Sequence, residues 1–92
     1  PALDTHAEYR SWARVMGREL NALRMRDPAS VAVLDDYGAQ NPTEFFAVAT
    51  EAFFEKPRAL RLRHPELYSE LQAFFKQDPA AFSSEAAGGD QP

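Results

Sequence analysis

Three glutamates and one tyrosine are the residues of this 92-residue chain best placed to do chemistry. A helix turns by about 100° per residue, so Glu51 and Glu55 fall within roughly 20° of Glu44, and the three carboxylates stack on one side of any helix that holds them. The rest of that segment is apolar: Phe45, Phe46, Val48, Ala49, Ala52, Phe53 and Phe54. A carboxylate emerging from so apolar a helix must face water, a cation or a metal. Spacing alone leaves a solvated charge row and a metal-facing row both open, and Glu44 has a capping task near the positive end of the helix dipole as well. Tyr37 lies just upstream in Asp35-Asp36-Tyr37-Gly38-Ala39, a turn-like segment that can bring its phenol towards Glu44. Its hydroxyl suits donation to the charge that develops on a tetrahedral intermediate. The competing reading packs its ring on the first helix and shows the hydroxyl to water.

Other chemistries lack their residues. His6 and His64 are the only histidines, far apart, and neither has a partner at the i, i+4 spacing of two-histidine zinc binding. His64, before Pro65, reads as an N-cap or loop residue, and His6 as part of a first helical turn. The four glycines are a terminal pair and two singletons, so no phosphate loop exists. Ser11, Ser30 and Ser69 have no nucleophile context. With no cysteine, disulfides and thiolate metal sites are excluded.

The elements that position these residues are helical, and the expected fold is all-α, a small bundle of three to four helices. Thr5 and Glu8 form a capping box before Tyr9, Trp12, Ala13, Met16, Leu20 and Leu23, which predicts a helix over about 6–25. Its opposite side carries Arg10, Arg14 and Arg18, a solvated face. Asp27 and Pro28 stop it, and Ser30 to Leu34 leaves room for one extended segment at most. Asn41 as N-cap, Pro42 at the first helical position and Glu44 as acidic partner predict a second helix from Pro42 to about Glu55. Its apolar residues cover most of the circumference, which makes it the most buried. A short third helix begins near Pro57 with Leu60 and Leu62. Pro65 opens a fourth with Leu67, Tyr68, Leu71, Phe74 and Phe75, ended by Asp78 and Pro79. The phenylalanine pairs 45/46, 53/54 and 74/75 read as core. Residues 1–82 form the helical portion, and 83–92, made of Ser, Ala, Gly, acid and a final Gln-Pro, read as a disordered tail.

Composition bounds the function classes. Hydrophobic residues make up 45% and charged ones 26%, which suits a globular chain. The formal net charge of -4 argues against nucleic-acid binding. Residues 27–55 carry six acids and no lysine or arginine, between segments of local charge +2 and +3. The simplest expectation is that the basic segments fold over the acidic one. No run approaches a membrane span and no signal-like segment opens the chain, so a soluble cytoplasmic protein without a membrane partner is expected.

The run from Asp36 to Glu55, with Tyr37-Gly38-Ala39, Asn41-Pro42-Thr43-Glu44 and Phe45-Phe46-Ala47-Val48, resembles the C-terminal signature of the Mlc titration factor A family of zinc-dependent peptidases. Pro65-Glu66-Leu67-Tyr68 and Phe74-Phe75-Lys76-Gln77-Asp78-Pro79 also resemble that family's ending, and the likeness extends over about residues 5–80. It implies a larger α+β zincin-like catalytic domain of which this is the C-terminal portion, with peptides or proteins as substrates. It further implies that Glu44 is the third zinc ligand and Tyr37 the residue that stabilises the transition state; Glu51 and Glu55 receive no role. The family's His-Glu-x-x-His, which supplies two ligands and the general base, is absent. The chain alone is therefore expected to be inactive and to bind zinc only weakly, and Pro1 in place of methionine fits a fragment whose other half comes earlier. The rival expectation is an inactive interaction module that binds a protein such as a transcriptional repressor. An isolated half-domain with a wide apolar helix is also expected to self-associate.

Overall fold

From Pro42 onward, prolines divide the chain into helices that need almost no linkers. The computed structural model describes residues 6–27 and 32–82. It contains α1 (His6–Arg24), a 3-10 turn (Asp36–Ala39), α2 (Pro42–Glu55), α3 (Pro57–Arg63), α4 (Pro65–Phe75) and a final 3-10 turn (Pro79–Ala81). No strand occurs among the described residues, so the chain is an all-α bundle of four helices, as the sequence leads one to expect. The Thr5 cap, the start of the Ser30–Leu34 segment and the 83–92 tail lie outside the described residues. Residues 32–34 form no strand, and Leu34 is buried in the core.

Single residues join α2 to α3 and α3 to α4. Lys56 and His64 each precede a proline, which disfavours the helical conformation for them, and both adopt non-helical angles near φ -135 (-133 and -137). Each still closes the helix behind it, Lys56 N–H on Ala52 O at 2.8 Å and His64 N–H on Leu60 O at 2.7 Å. Each also opens the next, since Lys56 O accepts from Leu60 N–H and His64 O from Tyr68 N–H, both at 2.9 Å. α4 ends on Lys76 in the left-handed region (φ 56), the residue most often a glycine at such an end.

α2 is the axis of the bundle and packs on α1, α3, α4 and the Asp36–Ala39 turn. It buries Phe45, Val48, Ala49, Ala52 and Phe53 against Val15, Leu20 and Leu23 of α1, Leu60 of α3, and Leu67, Tyr68 and Leu71 of α4. Phe53 and Leu71 are fully enclosed, and each large side chain so buried contributes roughly 1.5–3 kcal/mol. The phenylalanine pairs are only half core: Phe45 and Phe53 are buried, Phe46, Phe74 and Phe75 partly so, and Phe54 is exposed. One member of a helical pair must point away from the partner helices, because neighbours in sequence differ by about 100°.

Polar contacts fasten α1 to the α3–α4 junction. His64 Nδ1 lies 2.9 Å from Glu19 Oε1, Ser11 Oγ donates to Glu70 Oε2 at 2.5 Å, and Arg18 pairs with Glu66. His64 is thus a junction residue held by Glu19, with no side-chain cap of α4. Arg10 and Arg14 are exposed, as expected. No helix among the described residues is long and apolar enough to cross a membrane.

Candidate active-site residues

Asn41 fixes where α2 begins and so where Glu44 stands. Its side-chain oxygen accepts from Glu44 N–H at 2.9 Å, and Pro42 occupies the first helical position without sacrificing a hydrogen bond. The box is closed on one side only. Among the described residues the Glu44 carboxylate makes neither the reciprocal bond to Asn41 N–H nor an ion pair. It is half-buried at the positive end of the helix, with its charge uncommitted. Glu51 and Glu55 follow on the same side, both exposed and likewise unpaired. The expected folding of basic segments over the acidic stretch therefore occurs at Asp36 and not at this row.

Tyr37 is held on the neighbouring turn by its backbone. Asp35 Oδ1 accepts from Tyr37 N–H at 2.8 Å and Gly38 N–H bonds to Asp35 O at 3.0 Å. Gln40 N–H closes the turn on Tyr37 O at 3.2 Å. Gly38 seats the turn on α2: a Cβ there would lie 3.1 Å from Val48 Cβ and 3.3 Å from both of its methyls. Val48 points within roughly 40° of the Glu44 direction, so the turn rests beside the carboxylate row. The Tyr37 side chain is 52% exposed, and its hydroxyl has no partner among the described residues.

Two arginines whose spacing in the sequence signals no role hold this turn from the end of α1. Arg24 Nε donates to Ala39 O at 2.8 Å and Arg24 Nη2 to Gln40 O at 3.3 Å. Arg26 Nη2 grips both oxygens of Asp36, at 2.6 and 2.8 Å. The only sequence signal for them was the sign change in local charge near residue 27, which gives attraction without register.

As a metal site the arrangement is partial. Glu44 supplies one hard oxygen donor of the kind a divalent ion accepts, but no group of three or more His, Asp or Glu able to hold a metal occurs among the described residues. The residues present fit one ligand position and not a complete set.

Residues 1–76 match the glucose-regulated metallo-peptidase M90 family, and the chain belongs to that family of metallo-peptidases. It is similar to an uncharacterized protein of Synechocystis sp., at 38% identity over 80 residues, covering 86% of this chain and 29% of that protein. It is also similar to Mlc titration factor A of Pectobacterium atrosepticum and of Serratia proteamaculans, each at 46% over 50 residues, covering 54% of this chain and 19% of the relative. The chain thus spans less than a third of the length of these curated relatives. No solved structure matches it.

Proposed function

We propose that the chain is the helical portion of a zinc metallopeptidase catalytic domain, to which it supplies Glu44 as one metal ligand and Tyr37 as an oxyanion donor. The remaining ligands and the general base belong to polypeptide outside these 92 residues. The observation that carries this reading is the Glu44 carboxylate, placed by a cap yet left unpaired. Bound zinc would polarise the amide carbonyl and ease deprotonation of water. Glu44 would contribute a negative oxygen donor from a helix start fixed by its cap, and Tyr37 would donate a hydrogen bond from its hydroxyl to the charge that gathers on the carbonyl oxygen. A cytoplasmic setting is part of the same proposal.

The test uses a longer family member that contains this segment. Glu44→Ala should remove zinc and peptide hydrolysis together. Tyr37→Phe should keep zinc and lower kcat by about 10²–10³, as loss of one oxyanion donor does elsewhere. Full zinc content in Glu44→Ala would sink the ligand assignment. For the 92-residue chain alone, calorimetry with zinc should show no tight one-to-one binding. A second reading, an inactive module that binds a protein such as a transcriptional repressor, is favoured by the open aromatic groove between α1 and α2; hydrolysis dependent on Glu44 would exclude it.

A further inference from the structure

α2 has two functional sides. Around its axis Glu44 points in roughly the opposite direction from the mean of Pro42, Thr43, Phe45 and Phe46, and those four residues help line a groove of ≈ 840 Å³ shared with α1 and Phe74. The floor is aromatic. Trp12 lies 4.8 Å from Phe74 and 5.9 Å from Phe46, ring centre to ring centre, and all three are only partly buried.

On α1 the groove is lined by Tyr9, Trp12, Met16 and Leu20 and, towards its outer edge, by two small residues, Ala13 and Gly17. Glycine in mid-helix is unfavourable relative to alanine because it has more backbone freedom to lose. A Cβ at Gly17 would meet nothing within 4 Å, so no neighbour among the described residues uses the space it opens. That edge is shaped for close approach by another main chain. Next to it on the surface of α1 come Arg10 and Arg14, exposed and without an ion pair among the described residues. Arg18, further round, already pairs with Glu66. One rim of the groove therefore carries positive charge that no described residue compensates, on a chain whose net charge is -4.

We infer that this groove seats an amphipathic helix with an apolar stripe flanked by carboxylates, and that the helix belongs to the polypeptide that longer family members carry outside the matched part. The aromatic floor takes apolar knobs, the Ala13–Gly17 wall admits a helix backbone, and Arg10 and Arg14 select acidic flanks. Such polypeptide is abundant, since the matched part is 29% of the Synechocystis relative and 19% of Mlc titration factor A from Pectobacterium. Neither Glu44 nor Tyr37 lines this groove, and its occupant needs no zinc.

Trp12 is the only tryptophan, so its emission reports the groove directly. The 92-residue chain is titrated with two synthetic helical peptides of about five turns that share one leucine stripe, the first flanked by glutamate and the second by lysine. The glutamate peptide should shift Trp12 emission saturably and bind roughly tenfold more tightly than its twin. Arg10→Glu with Arg14→Glu should invert that preference, and Gly17→Leu should abolish binding while far-UV circular dichroism stays unchanged. Equal affinities, no binding, or binding that survives Gly17→Leu would overturn the proposal, as would a dimer of the chain in sedimentation with Trp12 shielded. Within a longer family member that contains this segment, Trp12 should resist acrylamide quenching, and the two Arg→Glu changes should expose it. Quenching as free as in the 92-residue chain would overturn the assignment to the same polypeptide.

Discussion

Tyr68 and Tyr37 are one residue type in opposite surroundings. Tyr68 is 2% exposed in α4, its ring 5.1 Å from that of Phe53. Its hydroxyl donates to the Asp78 carboxylate and accepts from Ala80 N–H at 2.9 Å. All the hydrogen bonds of Tyr37 among the described residues are made by its backbone, and its hydroxyl has no partner there. A phenol whose donor and acceptor are both taken by the fold cannot serve a reacting oxygen; one with a fixed base and a free tip can. Side-chain connectivity, more than residue type, separates the structural tyrosine from the candidate catalytic one.

The largest expected effect tests that contrast on stability. Tyr68→Ala should cost about 3–5 kcal/mol in urea unfolding, the usual loss for a buried aromatic, whereas Tyr37→Ala should change stability by less than about 0.5 kcal/mol. Comparable losses at both positions would erase the distinction. Gly38→Ala comes next, at about 1–3 kcal/mol, because the new methyl presses on the buried Val48 Cβ and overpacks the seat of the Tyr37 turn.

Tyr68→Phe keeps the ring and should cost about 1–3 kcal/mol by stranding Ala80 N–H and the Asp78 carboxylate. It also carries a pH signature. Burial, and then the bond to Asp78, raise the Tyr68 phenol above its ordinary value of 10.0. The fold holds the neutral phenol more firmly than the unfolded chain does, so this stability is complete below pH 10 and is lost as pH climbs through the folded value. Tyr68→Phe should remove that part of the alkaline loss in thermal melts at stepped pH, and Tyr37→Phe should leave it intact. The smallest effect has the opposite sign: Gly17→Ala should stabilise the chain by about 0.5–1 kcal/mol, since the new methyl meets no neighbour.

The fold was legible because its punctuation is covalent. Pro42, Pro57 and Pro65 each sit at the first position of a helix, and the second helix runs from Pro42 to Glu55 as its cap and the following proline require. The first helix ends at Arg24, one residue before the expected limit. Less legible were the contacts that join segments distant in sequence. Arg26 with Asp36, Arg24 with two carbonyls of the Tyr37 turn, and Glu19 with His64 leave no periodic trace, because any exposed arginine or glutamate satisfies the same pattern. The capping box misled in one respect: the spacing gave Glu44 a reciprocal bond, and that carboxylate has no partner among the described residues.

By itself the sequence determined four helices, their starts, the family and the carboxylate row, since caps, prolines and helical periodicity act over a few residues. Only the tertiary structure decided that Tyr68 and not Tyr37 spends its hydroxyl on the fold, that Glu44 finds no partner among the described residues, and which aromatics line an open groove. Those outcomes depend on what the chain brings alongside each group from afar, and no local rule specifies that neighbour.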